Sequence, residues 1–459
     1  MAIPQRLAPS TEELRQFYVG TDIDDVPKPA LVLDAAKARR HCRSMLDAAK
    51  ALGVGFRAHV KTHKTHQLAR LQVGEESQDV KIVVSTVAEL QHLLPLLKEF
   101  KENGRRVNVL YGIPLPPSQA SRVADLAQPL GPGSITFMID HPDQLLAAVR
   151  FSERAGFPPG IYLKVDTGYH RAGLPPTALN KDDLIQKVAR LEVEGKVEIV
   201  GVYSHSSLSY ADTTPRQAMD NLVDEIKGCV EALRHNSHLF PADRELTVSV
   251  GASPQVTAVQ NITGANAEEK NPDSENLRAA IQEVTTAVGG FRVKLELHAG
   301  VYAVLDNQQL ATHARAFLGD ADDEVAVSVA AEVCSVYNAG ERRTPEALVA
   351  VGTLGLSREP CPSYTGWGVV SRGSYSQKNN AGRRLVVARI SQEHSIIAWE
   401  AGDGDAELPP VPLEVGQVVR IFPNHACVTG AMYGWYLVVD SENEDTNQVT
   451  DVWVRTSGW

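Results

Sequence analysis

Apolar and polar positions alternate in two different textures along this chain. Through the first two-thirds, short apolar runs are followed by stretches of helical period. The run at 30–34 is extended and leads into an alanine-rich helix. From residue 55 the pattern repeats, with runs at 55–61, 81–85, 107–111, 134–139, 160–165, 198–203, 246–250 and 293–297. Short β-branched runs alternating with amphipathic helices predict parallel β/α units. Counting from the 55–61 run gives about eight units over roughly 250 residues, the size of a (β/α)8 barrel. We therefore expect an α/β protein with a barrel domain over 25–315. After about residue 320 the texture changes. Runs at 325–336, 348–351, 384–390, 395–399, 418–422 and 435–439 are separated by Gly and Pro, with weak helical period. They predict a smaller C-terminal β domain over 316–459, with residues 1–24 packing on it. The polar stretch from Gly264 to Asn276, with Glu268, Glu269, Lys270, Asp273 and Glu275, reads as a surface insertion.

Composition narrows the partners. The chain has 459 residues, 43% of them apolar, and a net charge of −11. That balance argues against nucleic acid or an anionic membrane as the main partner. No window approaches the roughly 20 apolar residues of a membrane helix. Met1 to Thr11 lack the charged-then-apolar pattern of a secretory leader, and no lipidation or retention signal stands at 456–459. The five cysteines, Cys42, Cys229, Cys334, Cys361 and Cys427, are scattered, which predicts neither a disulfide framework nor a zinc ribbon. A reducing, cytoplasmic setting follows as the expectation.

Candidate chemistry gathers at the ends of the apolar runs, the barrel face on which active sites form. Lys61 closes the first barrel run in Phe56-Arg57-Ala58-His59-Val60-Lys61-Thr62-His63-Lys64. Desolvation and neighbouring cations would favour its neutral amine, the form that condenses with an aldehyde cofactor. A solvated lysine at a helix start is the plain alternative. His59, His63 and His66 offer metal spacing only if all three are helical, and His59 falls on the strand. Gly251-Ala252-Ser253-Pro254, after the penultimate barrel run, has the small residues and helix start that suit a phosphate, or an ordinary turn. Arg171, in Asp166-Thr167-Gly168-Tyr169-His170-Arg171, could hold an anionic oxygen or a surface carboxylate. Tyr203 and Tyr210 flank His205; either a core role or stacking on a planar cofactor fits Tyr203. In the C-terminal domain His425 and Cys427, two apart, would share one face of a strand and could ligate zinc. Glu393-His394 is a further polar pair or a turn.

These motifs, in this order, resemble those of eukaryotic D-serine dehydratases, which with D-threonine aldolases belong to the alanine-racemase-like pyridoxal-phosphate enzymes. The resemblance runs over nearly the whole chain. It implies a cofactor-bearing barrel, a zinc-bearing β domain and a homodimer. By position, Lys61 would carry the pyridoxal phosphate. Arg171, Tyr203 and Tyr210 would lie beside the cofactor, Gly251 and Ser253 would hold its phosphate, and His425 and Cys427 would bind Zn2+. The implied reaction is β-elimination of D-serine to pyruvate and ammonia. The alternative is aldolase-type cleavage of D-3-hydroxy amino acids. A non-catalytic cofactor-binding barrel and a metal-dependent hydrolase using His59 and His63 are weaker readings. Three departures from the family pattern are Ser206-Ser207-Leu208-Ser209 ahead of Tyr210, Ser253 where threonine is common, and the acidic insertion near 265–276.

Overall fold

The computed structural model describes residues 9–240, 244–264, 272–286, 290, 292–378, 382–400 and 408–459. The centre of the expected insertion, 265–271, lies outside the described residues. At its last part a helix begins at Pro272 and runs to Thr286. The chain divides into two compact units, one of residues 42–302, 312–317 and 458–459, the other of residues 1–41, 303–311 and 318–457.

The first unit contains a closed barrel of eight parallel strands: β2 Gly55–His59, β3 Asp79–Val84, β4 Arg106–Pro114, β5 Ile135–Ile139, β6 Gly160–Lys164, β7 Glu198–Tyr203, β8 Glu245–Val250 and β9 Arg292–Ala299. The ring closes where β9 pairs with β2, Leu297 opposite Phe56. Strands covered on both faces need apolar runs, not alternation; every residue of β5 and β6 is buried. β7 and β8 approach so closely that a Cβ on Gly201 would stand 1.9 Å from the Thr247 carbonyl oxygen. Only glycine fits there.

Inside this ring lies a buried ionic cluster. Arg57 and Glu296 are 2% and 1% exposed. Arg57 Nε and Nη2 donate to the two Glu296 oxygens at 2.7 and 3.3 Å. Lys81 Nζ adds a third contact at 2.8 Å. Ser249 Oγ and Tyr162 OH donate to Glu296 Oε1 at 2.9 and 3.3 Å. Burial works against the Glu296 carboxylate, but Arg57 and Lys81 outweigh it and hold its pKa far below the usual range.

The second unit is an antiparallel sheet that also closes on itself. Its strands are β1 Ala30–Asp34, β10 Val327–Tyr337, β11 Glu346–Val349, β12 Gly368–Val370, β13 Leu385–Ile390, β14 Ser395–Trp399, β15 Val418–Pro423, β16 Trp435–Val439 and β17 Asp451–Val454. The order β11-β14-β13-β12-β15-β10 returns to β11 through a β10–β11 pairing, and β1, β16 and β17 continue the sheet. All but β12 and β17 match apolar runs in the sequence. The run at 30–34 has a different home from the one a barrel boundary at residue 25 implies. β1 pairs antiparallel with β10 and parallel with β16. Its five residues are all buried, and Val32 joins a core with Ile23, Ala330, Leu437 and Val452. The helix Thr11–Tyr18 belongs to this unit, with Arg15 held by Asp451 at 2.6 Å.

Candidate active site

Lys61 stands two residues past β2, at the C-terminal end of the barrel, and is half-buried. Its flanking side chains are already committed. Lys64 pairs with the buried Glu89 at 3.0 Å. His63 accepts from the Thr65 amide at Nδ1, 3.1 Å, and faces Gln72 Oε1 with Nε2, 2.9 Å. His66 Nε2 faces the His92 carbonyl. The histidines of this stretch therefore serve separate partners. Among the described residues no group of three or more His, Cys, Asp or Glu is arranged to hold a metal.

Two buried imidazoles lie within electrostatic reach of Lys61. Burial first, then the charges of Lys61 and other cations, holds His59 neutral. His205, just past β7, is held neutral by burial and by His298, Lys61 and Arg171. Tyr203 ends β7, is 2% exposed and stacks on His298 with centroids 4.2 Å apart and rings 7° from parallel. Burial pushes the His298 pKa down to about 3, although Glu296 pulls the other way. Three polar atoms here are buried with no hydrogen-bond partner: His205 Nδ1, Ser209 Oγ and His298 Nε2. Such atoms are costly unless a ligand or water meets them.

The loop carrying His205 is held from behind. Ser206 N donates to Glu225 Oε1 at 2.6 Å. Glu225 sits on the helix Pro215–His235. Burial raises the Glu225 pKa and lowers that of its neighbour Lys164, each partly opposed by the other's charge. Lys164, Asp166, Arg171, Ser204 and His205 line one hollow at the ends of β6 and β7. Asp166 builds the turn that presents Arg171, accepting from the Gly168 and His170 amides at 3.0 Å each. Arg171 itself is exposed, its guanidinium 4.9 Å from the centre of the Tyr169 ring. Tyr210 lies on the short 3-10 turn Leu208–Ala211 and is half-buried.

The turn after β8 is built for close approach. Gly251 has φ +146°, and a Cβ there would stand 2.3 Å from the His298 carbonyl oxygen. The short helix Ser253–Thr257 starts immediately after. Ser253 Oγ accepts from Gly300 N at 3.2 Å, tying this turn to the end of β9. Lys61, His205 and Arg171 thus share one end of the barrel with Tyr203 and His298, and the Gly251–Ser253 turn after β8 packs against His298's strand, β9. An aldehyde, a planar ring and a phosphate fit what these residues offer: a lysine amine, unmet ring nitrogens and a glycine-lined turn at a helix start.

In the antiparallel unit, His425 and Cys427 do not share a strand face. β15 stops at Pro423; His425 is the N-cap of a helix over Ala426–Ala431 that contains Cys427. What ends the strand is a distant carboxylate. Asp306, 1% exposed, accepts from Ala426 N at 2.8 Å, and Asn424 is clamped by the Glu359 and Gly366 carbonyls at 2.9 Å each. The His425 ring meets Cys427 nonetheless. Burial opposes a charge on the imidazole, but the Cys427 hydrogen bond and the charges of Cys427, Asp306 and Glu359 push its pKa up to about 9. Glu359 Oε2 lies 3.7 Å from His425 Nδ1. His425 Nδ1 is buried without a hydrogen-bond partner, and a neutral imidazole beside a thiolate is the donor chemistry a zinc ion takes. Glu393 and His394 are exposed in the β13–β14 turn.

Sequence reasoning passed over His298, Glu225, Lys164 and Asp306. His298 was legible only as another polar residue at a strand end; the others gave no local signal.

Comparison with known proteins follows this division. Residues 33–267 match the family "Alanine racemase, N-terminal domain", and residues 326–439 match "Putative serine dehydratase domain". A D-serine dehydratase of Schizosaccharomyces pombe is 34% identical, covering 98% of this chain and 96% of its own. One from Saccharomyces cerevisiae is 28% identical over 96% and 98%. The solved D-threo-3-hydroxyaspartate dehydratase from Delftia superposes with a TM-score of 0.70 at 25% identity, covering 95% of this chain and all of that one. Full-length similarity at this level, on an alanine-racemase barrel joined to a closed antiparallel sheet, places the chain in the D-serine dehydratase family of lyases.

Proposed function

We propose that the protein is a pyridoxal-phosphate- and zinc-dependent lyase that converts D-serine to pyruvate and ammonia. The observation that carries this reading is the end-to-end similarity to named D-serine dehydratases, at 34% identity for the fission-yeast protein. The neutral imidazoles near Lys61 and the pairing of His425, with its unmet Nδ1, and Cys427 support it.

In this reading Lys61 carries the cofactor covalently through Nζ. With the cofactor bound, the Lys61 amine would take the proton from the substrate Cα as general base. His59 and His205 stay neutral beside it, so they do not compete as cations for the phosphate or the substrate carboxylate. The backbone N–H groups after Gly251 and the Ser253 side chain would hold the phosphate, Arg171 would serve the ring oxygen, and Tyr203 and Tyr210 would border the ring. His425 and Cys427 hold the zinc, with Asp306 fixing the start of their helix. When bound, the pyridoxal ring delocalises the charge left at Cα, and zinc acts as Lewis acid on the departing hydroxyl. A homodimer and a cytoplasmic setting belong to the same reading.

The test is a product assay on D-serine with and without chelator. Pyruvate and ammonia, lost on chelation and restored by zinc, are the expected result. Glycine and an aldehyde from D-threonine, without pyruvate from D-serine, would replace this reading with the aldolase one.

A further inference from the structure

Glu225 is one carboxylate reached from the ends of three neighbouring barrel strands, β6, β7 and β8. It is 1% exposed and belongs to the helix Pro215–His235. From the loop after β7, Ser206 N donates to Oε1 at 2.6 Å, and the Ser204 hydroxyl donates as well. From the short helix after β8, Gln255 Nε2 donates to Oε2. Lys164, at the end of β6, adds its positive charge. Gln255 is fully buried, and turning its amide over would set its oxygen against the carboxylate, so the contact has one sense.

These bonds join two parts of the site that lie on different strand ends. Past Ser204 the loop that carries His205 is closed by short-range bonds, Leu208 N to Ser206 Oγ at 3.3 Å and Tyr210 N to Ser207 O at 3.2 Å. Gln255 follows Ser253 by two residues, on the helix that opens at the Gly251–Ser253 turn. The helix carrying Glu225 also stands against the loop after β6. A Cβ on Gly228 would lie 2.8 Å from Thr167 Cγ2, and Thr167 Oγ1 meets Ser204 Oγ at 2.8 Å. A buried carboxylate makes strong, charge-assisted bonds, and donors that share it feel one another through it.

We propose that Glu225 is a positioning residue that couples the Gly251–Ser253 turn to the His205 loop, so that a phosphate seated in the turn orders the loop. This rests on the pyridoxal-phosphate reading of the barrel and adds to it a residue that touches neither cofactor nor substrate. Coupling of this kind is reciprocal: the ordered loop tightens the hold on phosphate by the same factor. Glutamine at 225 keeps the shape but replaces one acceptor oxygen by an NH2 group, which must face one of the donors.

The test uses the full-length protein freed of cofactor, with inorganic phosphate, pyridoxal phosphate and pyridoxal as probes. Hydrogen exchange read by mass spectrometry should show phosphate slowing exchange over 204–208 by about five-fold or more in the wild type, relative to chloride at equal ionic strength. Glu225→Gln and Gln255→Met should each abolish that slowing. In absorbance titrations the wild type should prefer pyridoxal phosphate to pyridoxal, and Glu225→Gln should cut the preference by about ten-fold, the scale of one charge-assisted hydrogen bond. A residue that only supported the fold would weaken both compounds alike, and an unchanged preference in Glu225→Gln overturns the proposal. Should Glu225→Gln not fold, Gln255→Met decides by the same two readouts, because it cuts the arm to the turn and leaves Glu225 in place. A wild type that prefers pyridoxal phosphate but shows no slowing over 204–208 overturns this inference alone. A wild type that binds both compounds equally overturns the phosphate assignment and this inference with it.

Discussion

Two buried arginines show how differently the two units treat charge. In the barrel, Arg57 is 2% exposed and its Nε–Nη2 edge is filled by Glu296, with Asn108 Oδ1 on Nη1 at 2.8 Å. In the antiparallel unit, Arg455 is buried almost as deeply and the same edge is open. A satisfied buried charge is scaffold: it locks β2, β3 and β9 to one another and asks for nothing further. An unsatisfied one stays costly until something meets it. The same contrast separates Glu296 from the ring nitrogens of His205 and His298. Burial alone, then, does not mark a functional group; burial with an unmet hydrogen-bonding edge does.

The comparison can be broken most decisively at Lys61. Lys61→Ala should reduce pyruvate formation from D-serine by about 10⁴-fold, combining loss of the covalent anchor with loss of the base. The visible absorbance of the purified protein should vanish with it, while its unfolding curve stays unchanged. Glu296→Ala should do the reverse of Lys61→Ala. It leaves Arg57 and Lys81 facing each other without a counter-charge, and should cost about 3–5 kcal/mol in urea unfolding of the barrel. Acid sharpens the same point. The folded-state pKa of Glu296 is depressed, so its contribution is present above the unfolded value of about 4.3 and is lost as pH falls below it. The neutral form of His298 likewise contributes above the unfolded value of about 6.5, and the loss runs down to its folded value of about 3. The urea midpoint should therefore fall continuously from about pH 6 downward, and Glu296→Gln should flatten the lower part of that slope.

His425→Ala addresses the second unit. It should lower elimination by about 10²-fold or more by weakening zinc, as read from metal content and product assay, without moving the barrel transition. At the small end, Arg15→Ala removes a half-exposed ion pair to Asp451 and should change stability by less than about 1 kcal/mol. A larger loss there would mean that the helix Thr11–Tyr18 matters more to the sheet than its ion pair suggests.

The barrel was legible because each of its strands is a local apolar run followed by a helix, and local pattern is what sequence displays. All eight runs counted from 55–61 are barrel strands. The run at 30–34 reads identically, yet its partners are more than 290 residues downstream in β10 and 400 in β16. Nothing in a five-residue pattern says which sheet will take it. The His425–Cys427 pair was found by residue type, but its backbone was not. The helix start depends on Asp306, a carboxylate remote in sequence that replaces a strand partner with a cap. The Arg57–Glu296–Lys81 cluster was invisible for the same reason: Arg57 and Glu296 lie 239 residues apart, and each alone looks like a surface charge.

The placement of β1 has a consequence for synthesis. As the nascent chain leaves the ribosome, residues 42–302 hold everything needed to close the barrel, while β1, buried on every residue in the finished protein, has no partner until Val327 and then Trp435 emerge. An apolar strand kept waiting that long is an aggregation hazard. Chains terminated prematurely before β10 should need a chaperone on their first fifty residues, not on the barrel that follows.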